Sequence, residues 1–142
     1  MDEVTLGLLK AFQLHPFALR EASRRLSYSE RYLRNVFSSA LAGGTLLSSP
    51  SAQDRRRRQY RVNWAALRRE ILKGGEAKNR IIEALGLKPR YEGKYVALVD
   101  GDVVDDDDDL LVLADRTADR YPAEELLITN VGEPRQHLVM GL

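Results

Sequence analysis

The stretch SPSAQDRRRRQYRVNW, residues 49–64, decides what kind of fold this chain makes. Polar, turn-forming residues lead into four consecutive arginines, Arg55, Arg56, Arg57 and Arg58. Behind them Tyr60 and Val62 stand two apart, with Gln59 and Arg61 between them. That alternation belongs to a strand with one face turned inward. Ahead of the turn, TLLSS (residues 45–49) reads as a short partner strand, so the two make a β-hairpin with a long basic tip. Asn63 then caps a helix, WAALRREILK, whose inward face is Trp64, Leu67, Ile71 and Leu72. The four arginines are either an ordinary solvated turn or a contact for something negative.

Working back from the hairpin, three helices precede it. Val4, Leu8, Leu9 and Phe12 fall at helical spacing, and Pro16 bars the residue before it from helical angles. ALREASRRL (18–26) puts Leu19, Ala22 and Leu26 on one face. After the short SYS turn, Ser29 is the N-cap of a third helix whose inner face is Leu33, Val36, Phe37, Ala40 and Leu41. Gly43 and Gly44 stop it. Its outer face carries Arg31, Tyr32, Arg34, Asn35, Ser38 and Ser39. Two helices joined by so short a turn cross steeply, and the second fits a DNA major groove. The outward residues are then either the wet side of a core helix or a reading surface. In the second reading Arg34 and Asn35 address base edges, and Ser29, Tyr32 and Ser38 hold phosphates.

Working forward, Gly74-Gly75 closes the fourth helix and the boundary between two units falls at 73–78. EAKNRIIEALG makes a short helix with Ala77, Ile81 and Leu85 inside, and LKPRYEG reads as a loop. KYVALVDG is a strand, Gly101 opens a tight turn, and DVV returns into five aspartates, Asp105 to Asp109. Leu110, Leu111, Ala114, Ala118 and Tyr121 repeat at helical spacing behind an acidic first turn, which suits the positive end of a helix dipole. ELLITNV is a further strand, and QHLVMGL reads as a last short one.

The chain has 142 residues, enough for one ordinary domain or two small ones, and the net charge of +1 conceals a division. Residues 1–74 hold 14 basic and 6 acidic side chains, +8; residues 75–142 hold 8 and 15, −7. The basic half suits a polyanion and the acidic half is repelled by one. With no cysteine there is no disulfide, thiolate metal site or thiol chemistry. No signal peptide or apolar span is legible, and the chain is expected in the cytoplasm.

DGDVVDDDDDL invites a calcium site, but with Asp100 as first ligand the sixth position is Asp105, not glycine, and the twelfth is Leu111, not glutamate. The alternatives are a solvated edge in which Asp108 or Asp109 caps the next helix, or a contact with a basic surface such as the hairpin. Alternation sends Asp105, Asp107 and Asp109 one way and Asp106 and Asp108 the other. His15 and His137 lack spaced partners, and no phosphate-cradling glycine motif occurs, so no enzyme, metal or cofactor is expected.

LGLLKAFQLHPFALREASRRL, SYSERYLRNVFSSALAGGTLL and RRQYRVNWAALRRE together resemble a winged helix-turn-helix of bacterial and archaeal transcription regulators, arsenical-repressor-like ones included. The resemblance covers residues 4–73. It implies a recognition helix over Ser29–Leu41, a wing over Pro50–Arg58, double-stranded DNA as partner, and a homodimer on a two-fold-related operator. Metal sensing known in some relatives has no cysteine or histidine cluster to rest on here. Residues 91–131 look like a small uncharacterised bacterial and archaeal domain with a GKYVA…DG…VV pattern, kept here as Gly93–Ala97, Asp100, Gly101, Val103 and Val104. That resemblance implies a dimerisation or partner-docking module without chemistry of its own. The expectation is an α+β chain: a winged helix-turn-helix over 1–74 and a small acidic β-β-α-β module over 75–142. Its contact residues are Ser29, Arg31, Tyr32, Arg34, Asn35, Ser38 and Arg55–Arg58. A protein-interaction or assembly module is the alternative.

Overall fold

The computed structural model of the protein describes residues 1–132; the expected strand QHLVMGL lies outside the described residues. The fold is α+β, with two small antiparallel sheets, and the chain divides into two compact units, Met1–Glu70 and Ile71–Leu142.

In the first unit, α1 (Glu3–Phe12), α2 (Leu19–Leu26) and α3 (Glu30–Gly43) precede β1 (Leu46–Pro50) and β2 (Arg58–Val62), and α4 (Trp64–Lys73) follows. Each helix start has a local cause. The Asp2 carboxylate accepts from the Thr5 N–H at 2.7 Å, the Glu21 carboxylate from the Ala18 N–H at 3.1 Å, and Ser29 Oγ from the Tyr32 N–H at 3.1 Å. Helix α3 ends where Gly44 adopts φ +82°, the left-handed conformation glycine takes without strain. Asn63 joins two elements: its Oδ1 accepts from the Ala65 N–H at 3.1 Å, capping α4, while its Nδ2 donates to the Gly44 carbonyl at 2.8 Å.

Strands β1 and β2 pair in register Leu46 with Val62, Ser48 with Tyr60 and Pro50 with Arg58. Sequence pattern did not show a third participant. Phe17, in the α1–α2 connection, exchanges both backbone hydrogen bonds with Tyr60 at 2.8 Å each, so the other edge of β2 is also paired there. Its ring stacks on Phe12 at 4.6 Å between centroids and meets Phe37 of α3 edge-on at 5.9 Å; Phe37 in turn lies 4.9 Å from Tyr60. Phe17, Phe37, Leu8, Leu9, Leu33, Leu46 and Leu67 are fully buried. Leu67 and Ile71 are buried as expected for the inward face of α4, whereas Leu72, expected there too, is exposed. Trp64 is half-buried.

In the second unit, α5 (Gly75–Ala84) buries Ile81, Ile82 and Ala84. The stretch read as a loop contains a one-turn helix, α6 (Lys88–Tyr91). Pro89 fits there, because in a first turn its missing N–H has no intrahelical partner to lose. Strands β3 (Tyr95–Val99), β4 (Asp102–Asp107) and β5 (Leu126–Asn130) form a sheet in the order β4-β3-β5. Asp100 and Gly101, both at positive φ, make the two-residue turn between β3 and β4. A bulge at Val104 places Val103 opposite Leu98 and Asp105 opposite Ala97.

Helix α7 (Leu110–Ala118) packs on β3 and β4, in a rotation the apolar repeat did not predict. Leu113 and Thr117 are its buried residues, and Leu110, Leu111 and Val112 are exposed. Four successive apolar residues, Leu110 to Leu113, fit either rotation, so periodicity alone carries no phase there. Thr117 is accommodated because its hydroxyl donates to the Leu113 carbonyl at 2.8 Å.

Truncating Phe17 to alanine removes the ring that joins α1, α3 and β2. The expected loss is about 3–5 kcal/mol, the usual range for a buried phenylalanine. Urea unfolding followed by circular dichroism measures it, and a loss below about 1 kcal/mol contradicts the central position given to this side chain.

Candidate nucleic-acid interface

The exposed face of α3 follows from its buried one. With Leu33, Phe37 and Ala40 inside, Arg31, Tyr32, Arg34, Asn35 and Ser38 are all exposed. Ser29 is exposed too, but its hydroxyl oxygen already accepts the Tyr32 N–H, so its first role is to hold the helix start. The turn between α2 and α3 is three residues, Ser27 to Ser29. Ser23 Oγ steadies it by donating to the Tyr28 carbonyl at 2.6 Å.

The hairpin carries Arg55 to Arg58, all exposed. Asp54 organises its tip: its carboxylate accepts from the Arg56 N–H at 3.0 Å, and its carbonyl from the Arg57 N–H at 3.0 Å. The four guanidinium groups are not equivalent. Arg58 donates to Ser48 Oγ across the strands at 2.8 Å. Arg57 lies 3.7 Å from the Asp54 carboxylate, an exposed pair of the kind that contributes about 0–1 kcal/mol. The side chains of Arg55 and Arg56, like those of Arg31 and Arg34, have no hydrogen-bond or ion-pair partner among the described residues.

The strand period relates hairpin to helix. Side chains two apart share a face, so Arg58 projects to the same side as Tyr60 and Val62. Tyr60 is in ring contact with Phe37 of α3, so Arg58 is on the α3 side of the hairpin while Gln59 and Arg61 are on the other. Residues that pattern reading passed over also appear here. Tyr28 lies 5.1 Å from Tyr32, centroid to centroid, and both rings are exposed. Arg25, by contrast, is occupied: it donates to the Ala11 carbonyl at 3.3 Å and covers the Phe12 ring. An aspartate two residues before a turn arginine was the available signal for Asp54; the Tyr28–Tyr32 pair was legible as an i, i+4 spacing.

The aspartate run of the second unit has a different character. Asp105 and Asp107 point to one side of β4 and share Arg116 of α7, at 2.8 and 3.0 Å. Arg116 also donates to the Asp106 carbonyl at 2.8 Å. Asp106, on the opposite side, faces Lys94 at 3.5 Å. Asp109 is the N-cap of α7, accepting from the Leu111 and Val112 N–H groups at 2.9 and 3.3 Å. Within the second unit, the partners of the run are thus α7 and Lys94. The Arg116 hydrogen bond holds the Asp105 carboxyl below its ordinary range, and the Asp109 N–H followed by Arg116 does so for Asp107. Among the described residues no three carboxylate or imidazole groups converge as a metal site. On α5, Lys78 donates to Asn130 Oδ1, and partial burial lowers its pKa.

A family model described as a family of unknown function (DUF5678) matches residues 87–133. The match takes in α6, β3, β4, α7 and β5, the stretch that contains GKYVA and the Asp100-Gly101 turn. No curated protein and no solved structure matches the chain. No helix among the described residues is long and apolar enough to cross a membrane.

The Arg116 clamp has a pH signature. Because the folded state holds both carboxyls below the ordinary aspartate value of 3.8, their contribution is present above that pH and is lost as pH falls through the lower folded values. Arg116→Gln is therefore destabilising at pH 7, and its difference in Tm from the parent protein vanishes in strong acid. Carboxyl titration by NMR should show Asp105 moving up more than Asp107: both keep a backbone N–H donor, but Arg116 is the main cause of the lowering at Asp105 and the Asp109 N–H is at Asp107. An unmoved Asp105 rejects the clamp.

Proposed function

We propose that this protein is a sequence-specific double-stranded DNA-binding protein, a cytoplasmic transcription regulator whose first unit acts as a winged helix-turn-helix. Helix α3 enters the major groove, and the β1–β2 hairpin follows the phosphate backbone or reaches an adjacent minor groove. The observation that carries this reading is the set of exposed, unpaired guanidinium groups, Arg31 and Arg34 on α3 and Arg55 and Arg56 on the hairpin. A purely structural surface of this charge is normally tempered by acidic neighbours. Here Asp54 engages Arg57 and leaves two tip arginines free. The Phe17–Tyr60 bridge supports the reading too, since it fixes the hairpin against the helices and presents Arg58 on the α3 side.

Roles divide by chemistry. Arg34 and Asn35 offer the bidentate ends that read guanine and adenine edges. Arg31 adds to this base discrimination, while Tyr32, Ser38 and Ser29 hold phosphates along the groove rim. Arg55, Arg56, Arg57 and Arg58 supply affinity that depends on salt rather than sequence. Binding is non-catalytic, and the regulator acts by occluding or recruiting, as a homodimer on an operator with matching two-fold symmetry. The second unit serves as its dimerisation or partner-docking module. A second reading, a protein-interaction module, is favoured by the exposed Leu110, Leu111 and Val112 on that unit.

Duplexes selected from a random library provide the test. Arg34→Ala should lose about 1–3 kcal/mol of discrimination at one or two positions, seen as a flattened preference there. Arg56→Ala should weaken every duplex alike and reduce the slope of log K against log salt by about 1. Absence of any selected sequence, with binding that ignores salt, removes the DNA reading.

A further inference from the structure

Three apolar side chains open α7 uncovered. Leu110 is 41% exposed, Leu111 78% and Val112 46%. Isolated exposed apolar residues are ordinary on a protein surface, but here three follow one another around the first turn of a helix, with Leu111 facing outward most fully. Its position is rigid, because the Asp109 carboxylate caps the Leu111 and Val112 N–H groups and Arg116 ties the helix to β4. The rim is acidic. Asp108 precedes the patch and Asp115 lies one turn beyond it; both are exposed, and neither side chain has a partner among the described residues. Asp105, Asp106, Asp107 and Asp109 have partners within the fold, so Asp108 is the aspartate of the run left to meet something outside, and Asp115 adds a second charge beside the patch.

The first unit carries the complement. Tyr28 and Tyr32, 39% and 47% exposed, hold their rings 5.1 Å apart at the start of α3. Arg31 adjoins this pair and Arg34 lies about one turn on, both exposed and unpaired. An aliphatic patch with two carboxylates complements an aromatic patch with two guanidinium groups in polarity and sign. The division of the chain into a +8 and a −7 half acts in the same direction at longer range.

We propose that the first turn of α7 in one copy of this chain docks on the Tyr28–Tyr32 pair of a second copy. Leu110, Leu111 and Val112 cover the two rings, while Asp108 and Asp115 meet Arg31 and Arg34. The two surfaces differ, so the contact is head to tail and is distinct from a symmetric dimer that matches a two-fold operator. On the DNA reading given above, on which this last step alone rests, Arg31, Tyr32 and Arg34 cannot serve a duplex and a second copy together. Self-association then holds the protein off DNA, and duplex disperses it.

Sedimentation velocity on the full chain tests this with two variants at exposed positions, Leu111→Lys and Tyr32→Ala. The parent protein should associate at about 50 mM salt and dissociate toward about 500 mM, where charges are screened within a few ångströms. Each variant alone should associate about tenfold more weakly or worse. Mixed in equal amounts, they should recover a 1:1 complex, because one keeps its rings and the other its aliphatic patch. A parent protein that stays monomeric at low salt overturns the proposal. So does association that neither variant weakens, or a mixture no tighter than either variant alone. Adding duplex separates the two readings. Dispersal of the assemblies supports the shared surface, and duplex bound to intact assemblies overturns it. Complementation between the variants without any duplex binding leaves self-docking standing and rejects the DNA reading.

Discussion

The first unit depends on a pairing between Phe17 and Tyr60. Two reciprocal backbone hydrogen bonds tie the α1–α2 connection to the hairpin, and the Phe17 ring fills the space between Phe12 and Phe37. A two-stranded hairpin is marginal by itself in water. Here the otherwise free edge of β2 is occupied at its centre, and its inner face rests on aromatic rings. The basic tip beyond Arg58 can then be polar and highly charged without loss of the strands behind it. That is the condition under which four adjacent arginines can be kept at one site, facing outward, on a defined support.

Charge is treated in opposite ways by the two units. In the second, the negative run is largely consumed within the fold: Asp105 and Asp107 grip Arg116, Asp106 faces Lys94, and Asp109 caps α7. In the first, most of the positive side chains on α3 and on the hairpin tip are left unmatched. Conspicuous acidity thus reads mainly as local architecture, and less conspicuous positions, Asp108 and Asp115, remain available. The exposed aliphatic turn of α7 lies between those two.

The segment similar to DUF5678 accounts for the sheet β4-β3-β5 and the helices beside it, and carries no assigned activity. Function in this chain is therefore argued from sites. The first unit presents exposed arginines on a helix face and on a hairpin. The second presents an exposed apolar turn flanked by exposed Asp108 and Asp115. Both surfaces occur within one chain, which makes a second copy the economical partner for the patch.

Much of this was legible in the residues. Helical spacing with Ser29, Asn63 and Gly44 at the ends located α1 to α4, because caps and periodicity are local properties. Alternation around Tyr60 and the Asp100-Gly101 turn located the hairpins for the same reason. Exposure of Arg31, Arg34, Asn35 and Arg55–Arg58 followed once the apolar faces were assigned. Three features were decided only by tertiary structure. Phe17 pairs with Tyr60, forty-three residues away in sequence, by backbone groups that every residue possesses. The rotation of α7 is the one that buries Leu113 and Thr117 and lets Arg116 reach two aspartates on β4, a choice that four successive apolar residues left open. The fates of the individual aspartates follow from which groups the bulge at Val104 turns toward α7 or Lys94. Sequence determines which short segments form and which faces they bury; long-range partners are selected by geometry that no local window contains.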